Sequence, residues 1–229
     1  MLAAILTCGA TTGLSSCSSN DNPSPTKPDN EQEVQDGMNK KITDGNYDKS
    51  LAVKCINGTF VGKKAENNVV VYKGIPFVGQ QPVGNLRWKA PVDVIPDDNV
   101  YEAYNYSKTP VQSPGDPAVE YGTSEECLYL NVWKSAEETA VKKPVVVWIY
   151  GGGFEGGGTA DPQYDCCNLV KENPDVIFVT INYRVSFLGF LHLSHLPDGK
   201  DYQDASNLGL MDQMMALKWV NTTDAIKSR

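Results

Sequence analysis

The chain has 229 residues, with 28 acidic against 20 basic side chains and a net charge of −8. That length is enough for one domain with a real core. The acidic balance and the lack of a basic stripe argue against a nucleic-acid surface and leave solubility as the plain meaning of the charge.

Met1 to Leu14 is apolar and small and has no acidic residue, like the hydrophobic part of an export leader. Leu14-Ser15-Ser16-Cys17 then resembles a bacterial lipobox, which would make Cys17 the lipidated first residue of the mature protein. The chain carries no Lys or Arg before Lys27, so the basic start of such a leader is missing. The apolar run is too short to span a bilayer as a permanent helix. Residues 1–17 are thus read as a lipoprotein-type signal segment, export to the bacterial cell envelope follows, and the only expected membrane contact is a lipid anchor. Residues 18–45 are rich in Ser, Asn, Asp, Pro, Glu and Gln and nearly free of large apolar groups. Such a segment cannot offset its ordering entropy and is expected to be a tether. The domain is expected over residues 46–229, with its folded part starting near Leu51.

From Leu51 the pattern is strand-rich. Residues 51–56 and 59–61 flank Asn57-Gly58, a strong hairpin-turn signal. Further strands are expected over residues 69–72, 128–133, 144–150 and 176–181. The last two are near-continuous apolar runs, as in strands buried on both faces. Residues 164–173 predict a short helix ended by Pro174, and residues 208–220 a second one. In the second, Leu210, Met214 and Leu217 fall at helical spacing, as do Met211 and Met215, and the Met pair is expected to fill core space. An antiparallel lead-in followed by a β-α-β-α unit predicts an α/β fold.

Val145 to Tyr150 runs into Gly151-Gly152-Gly153-Phe154 at a strand end. Glycines there can bring bare backbone N–H groups against a reacting carbonyl oxygen. The same residues match Gly-x-Gly-x-x-Gly, but no helix follows directly and Asn182 stands where a ribose-binding acid should close the next strand. A nucleotide site is therefore not expected. The six cysteines (Cys8, Cys17, Cys55, Cys127, Cys166, Cys167) show no metal-ligand spacing, and the adjacent Cys166 and Cys167 cannot easily meet disulfide geometry. His192 and His195 have no cysteine or carboxylate at motif spacing and read as ordinary loop or core residues. No metal and no cofactor are expected.

Five blocks, in order, resemble type B carboxylesterases, the group that includes the cholinesterases. Tyr72-Lys73-Gly74-Ile75-Pro76-Phe77 with Pro82-Val83-Gly84-Asn85-Leu86-Arg87-Trp88 is similar to the family's GIP(Y/F)A…P.G.LRF segment. Residues 124–132 resemble SEDCLYLNV, and Trp148 to Phe154 resembles the WI(Y/H)GGGF loop. Residues 180–190 and 207–220 resemble two further blocks.

The resemblance implies an α/β-hydrolase fold and serine-type ester hydrolysis, with a small-molecule ester as substrate of the complete enzyme. Gly152 and Gly153 take the positions of oxyanion-hole donors. It further implies two partly buried ion pairs, Arg87 with Glu125 and Arg184 with Asp212. No Gly-x-Ser-x-Gly occurs in the chain. The family's serine, acid and histidine fall after the Trp219 helix, and His192 and His195 match neither role. The 229 residues thus read as an incomplete α/β-hydrolase that carries the oxyanion loop without the nucleophile and is inactive alone. The alternative is a non-catalytic, esterase-like adhesion or scaffold protein. Val111 stands at the family's usual partner position for the Cys127 disulfide, so Cys127 is expected to be free. Residues 112–126 contain no Trp, which removes the cation–π argument for a choline ester. Without the serine-bearing strand, residues 145–148 are expected to form an unpaired apolar edge prone to aggregation.

Overall fold

A computed structural model describes residues 4–7, 39–137, 139 and 141–223. The strands are β1 (Ala4–Thr7), β2 (Lys41–Ile42), β3 (Ala52–Cys55), β4 (Asn57–Val61), β5 (Lys63–Ala65) and β6 (Val69–Pro76). They continue with β7 (Asp97–Glu102), β8 (Thr109–Pro110), β9 (Thr123–Ser124), β10 (Tyr129–Ser135), β11 (Val145–Ile149) and β12 (Ile177–Ile181). The α-helices among the described residues are α1 (Cys167–Glu172), α2 (Ser186–Phe190) and α3 (Leu208–Thr222).

The main sheet has the order β1-β11-β12-β10-β6-β5. β5, β6, β10 and β12 pair antiparallel in turn, whereas β12 with β11 and β11 with β1 are parallel. This is the antiparallel lead-in and parallel half-sheet expected of the sequence. The alternation in β11 has a clear cause: Val145, Val147 and Ile149 are buried in the main core, while Val146 and Trp148 face the other side and are half-covered. Trp148 meets Tyr164 on that side, with ring centroids 5.5 Å apart. A second sheet, β2-β7-β4-β3, packs its Val53, Cys55 and Phe60 against Tyr72, Ile75 and Val132 of the main sheet. On the opposite face of the main sheet, Val170 of α1 covers Val69, Val71 and Trp133.

The structure corrects four expectations. The first concerns the β11 edge, which is not unpaired. Ala4–Thr7 lies beside it in register, from Ala4 opposite Val146 to Thr7 opposite Ile149. An open row of N–H and C=O groups is a template for any short strand, and here the chain's own N-terminal residues fill it.

The second concerns where order begins. Most of the tether expected over residues 18–45 lies outside the described residues, but β2 pairs with β7. The Asn39 amide also donates to the Lys73 carbonyl at 2.7 Å and accepts from the N–H groups of Tyr104 and Asn105 at 2.8 and 3.0 Å. One asparagine closing three backbone groups is a side-chain effect that composition does not reveal.

The third is the hairpin, whose turn lies one residue early. Cys55 pairs with Gly58, leaving Ile56 and Asn57 at the tip. Asn57 is drawn in because its amide donates to the Pro76 carbonyl at 2.7 Å and its Oδ1 accepts from the Trp219 indole at 3.0 Å.

The fourth is the buried face of α3, which carries Leu208, Gly209, Asp212, Ala216, Trp219 and Val220. Leu210 and Met214 point outward, 42 % and 69 % exposed. Periodicity alone picked a stripe one step round the helix, because it could not credit a buried Asp and a Gly to the inner face. Met215 and Leu217 pack against the main core and Met211 against Leu193 and Leu208.

The paired β11 edge generates a test. A chain beginning at residue 18 exposes Val145 to Ile149 and is expected to form soluble oligomers or aggregates at concentrations where residues 1–229 stay monomeric. Light scattering on the two chains side by side checks this. Equal monodispersity would show that β1 does not protect the edge.

Candidate active site

β11 delivers its backbone to Tyr150, and the chain then turns through a glycine-rich loop over residues 151–157. Gly152 has φ +128° and Gly153 φ +63°, conformations in which a Cβ is disfavoured. A Cβ on Gly152 would also lie 2.2 Å from the Gly156 carbonyl oxygen. The Glu155 N–H donates to the Gly152 carbonyl at 3.0 Å and closes a tight turn. Among the described residues neither the Gly152 nor the Gly153 N–H donates to any protein acceptor. The loop borders an open cleft of about 620 Å³ lined by Gln112, Asp116, Gly152, Gly153, Phe154 and Ser186, with Phe187 and Phe190 beside them. Unspent N–H donors facing a cleft with aromatic walls can stabilise a developing negative charge on an oxygen.

The loop stands on a stiff base. Tyr150 and Tyr183, at the ends of β11 and β12, stack with centroids 4.4 Å apart. Each hydroxyl donates to the other's backbone carbonyl, at 2.8 and 2.9 Å. Burial pushes both phenols up, Tyr183 to about 12, so both stay protonated donors. At the far end of the loop, Gln112 accepts from the Gly157 N–H and donates to the Gly157 carbonyl, both at 2.7 Å. Asn182 accepts from the Thr159 N–H at 2.9 Å and donates to the Ser107 hydroxyl at 3.2 Å. Sequence reasoning gave Gln112, Tyr150, Tyr183 and Asn182 no role at the site. Their bonds join segments up to 75 residues apart, and nothing local in the sequence announces them.

The two ion pairs differ in setting. Arg87 meets Glu125 through two bonds of 2.5 Å, with side chains 43 % and 25 % exposed. The bidentate geometry favours specificity more than energy at that exposure. Arg184 meets Asp212 at 2.7 and 2.8 Å with both side chains buried, 4 % and 0 % exposed. The Asp212 carboxylate also accepts from the Arg184 backbone N–H at 3.0 Å, and the guanidinium donates to the Lys89 carbonyl at 2.9 Å. Burial pushes the Asp212 carboxyl up, and the Arg184 hydrogen bonds and charge pull it back only in part.

The remaining candidates do not converge on the cleft. Cys17 lies outside the described residues. Cys127 is free and buried, and it lines a small cavity together with Val111. Burial raises the Cys55, Cys166 and Cys167 thiols to about 12, which leaves them un-ionised and unreactive at neutral pH. His192 and His195 are exposed, with ring centroids 4.7 Å apart, and the Ser194 hydroxyl lies 2.9 Å from His192 Nε2. Among the described residues no three His, Cys, Asp or Glu side chains form a metal-ligating group.

A model of the carboxylesterase family matches residues 49–226. The chain is 42 % identical to a para-nitrobenzyl esterase of Bacillus subtilis over 160 residues, covering 68 % of this chain and 31 % of that protein. It is 37 % identical to a fumonisin B1 esterase of Sphingopyxis macrogoltabida, covering 68 % and 28 %. With an acetylcholinesterase of Electrophorus electricus it shares 36 % identity over 72 % and 26 %. A solved carboxylesterase of Geobacillus stearothermophilus superposes with a TM-score of 0.69 at 38 % identity, over 78 % of this chain and 35 % of that one. The chain belongs to the carboxylesterase family and has part of its α/β-hydrolase fold. It spans about a third or less of the length of these relatives.

Three variants test the architecture. Gly152→Ala is expected to destabilise the chain by about 1–3 kcal/mol, because its φ and the Gly156 carbonyl both oppose a Cβ. Asp212→Asn leaves a buried guanidinium uncompensated and is expected to cost about 3–5 kcal/mol. Arg184→Met with Asp212→Leu is expected to cost less than Asp212→Asn alone. Urea denaturation of the three variants checks these expectations, and a double variant less stable than Asp212→Asn would contradict the last.

Proposed function

We propose that this chain supplies the oxyanion loop of a serine-type carboxylic-ester hydrolase. The observation that carries the reading is the pair of N–H groups on Gly152 and Gly153, left without a protein acceptor beside the cleft. Donors held by backbone geometry act on a tetrahedral intermediate without reorganising during the reaction. The family's esterase members support a small ester as substrate. A nucleophile must first create the oxyanion, and the 229 residues hold no Gly-x-Ser-x-Gly. The chain by itself is therefore proposed to be inactive, with the serine, histidine and acid supplied by further sequence.

Purified residues 1–229 are expected to hydrolyse p-nitrophenyl acetate no faster than a denatured control. Serine-dependent turnover above that control would overturn the inactivity. In a chain completed by segments supplying the three missing residues, Gly153→Ala is expected to lower kcat about 10²–10³-fold by disturbing one donor. A change smaller than tenfold would remove Gly153 from the oxyanion hole.

The Leu14 to Cys17 pattern supports a second proposal, that the protein is exported and lipid-anchored through Cys17. Growth with labelled palmitate is expected to label the chain. No label, or a label that survives Cys17→Ala, would rule this out.

A further inference from the structure

Phe154 and Ser186 are both in the left-handed region, with φ +65° and +55°. Neither is a residue that tolerates this region well, and Asn67 and Asn68, which do, sit in an ordinary turn between β5 and β6. Trp88, at φ +57°, is a third such residue, and its indole donates to the Phe187 carbonyl of α2 at 3.1 Å. Phe154 and Ser186 are bonded to each other: the Ser186 N–H donates to the Phe154 carbonyl at 2.6 Å. Their elements also touch through side chains, with the Phe154 ring 4.8 Å from that of Phe190 at the end of α2. Strain of this kind persists only where the surroundings over-determine it, and it gathers at functional sites.

The surroundings of Ser186 do over-determine it. Two residues earlier, Arg184 is fixed by Asp212 through its backbone and side chain. Gly189 and Gly209 let both helices close on the Arg184 carbonyl, since a Cβ at either would lie 2.4 or 2.5 Å from that oxygen. The Gly189 N–H returns to the Val185 carbonyl at 3.2 Å. The serine N–H is thus aimed from the buried core, not from a loose loop. The glycine loop, by contrast, has few outside attachments. Gln112 holds it at Gly157, and between Gly152 and Gly156 the Ser186 bond to Phe154 is the one hydrogen bond to another element among the described residues, beside the Phe154–Phe190 ring contact.

We propose that Ser186 is a positioning residue whose backbone N–H latches the Phe154 carbonyl and so fixes the attitude of the Gly152 and Gly153 donors. The value of that attitude rests on the oxyanion reading above, but the latch itself does not. Glycine at 186 would keep the donor and adopt the same φ freely, whereas proline would remove the donor and force φ near −65°.

Hydrogen exchange on purified residues 1–229 tests the latch without any ester. In Ser186→Pro, the Glu155 and Gly157 amides, the loop N–H groups that have acceptors, are expected to exchange about tenfold faster, the effect of losing one hydrogen bond locally, with β10 and β12 protected as before. In Ser186→Gly, loop exchange is expected to stay at the parent level or slow, with a higher unfolding temperature from released strain. Should the proline variant not fold, Ser186→Val keeps the N–H but resists the left-handed region, and its loop is expected to exchange faster than the parent's. A folded proline or valine variant with parent-like loop exchange would overturn the proposal. So would a glycine variant loosened as much as the proline one. Loss of the esterase reading in the p-nitrophenyl acetate and Gly153→Ala experiments would leave these exchange rates unchanged, so the two failures are distinguishable.

Discussion

The buried contact between Arg184 and Asp212 is the constraint on which the cleft end of the molecule depends. Two charges with almost no solvent exposure are costly to bury, and in such a pair the gain from attraction rarely exceeds the loss of hydration. Its worth lies in direction. Asp212 occupies the first turns of α3, Arg184 follows β12, and the Lys89 carbonyl comes from a loop 95 residues away. Each of the three segments is fixed by bonds of defined angle to one guanidinium and one carboxylate. An apolar contact of the same size could slide, and these bonds cannot.

From that point the geometry is passed along the chain in short steps. Tyr183 precedes Arg184 and is locked face to face with Tyr150, which precedes the glycines. The C-terminal ends of β11 and β12 therefore have one relative height. The loop leaves at that height, turns within residues 152–155, and is caught again by Gln112 at Gly157. Glycine is needed along this path for two separate reasons. At Gly153 a Cβ has open space and only φ forbids it, whereas at Gly157 a Cβ would also strike the Tyr150 ring at 2.4 Å. The first reason keeps a donor accessible, and the second lets the loop fold back onto its own strand.

Much of this was legible in the residues. Apolar runs of strand length mark β6, β10, β11 and β12, and the glycine run marks the loop at the end of β11. Local patterns report local structure well. They failed where a distant partner decides the outcome. Asn39 sits in a polar stretch that composition assigns to a tether, yet it closes backbone groups of β6 and of the loop after β7. Asn57 moved a hairpin turn by one position because Pro76 and Trp219 need its amide. Leu210 and Met214 form a tidy apolar stripe, but the helix turns a buried aspartate inward because its arginine is waiting there. Ser186 gave no signal at all, since a strained φ is a property of its neighbours' packing.

The N-terminal segment raises a physical conflict between two roles for the same residues. Four parallel rungs join Ala4–Thr7 to β11. Parallel pairing is slightly weaker per residue than antiparallel pairing, and a four-residue strand at a sheet edge has a neighbour on one side only. The closure it gives is therefore modest, and residues 1–16 are also the ones that export processing ahead of Cys17 would remove. A protein cannot keep β1 in its sheet and lose it as a leader. If processing occurs, β11 needs another partner strand, because its row of backbone groups would otherwise remain unsatisfied. The edge geometry thus sets the requirement independently of which strand meets it: short, and apolar enough to sit beside Val145, Val147 and Ile149.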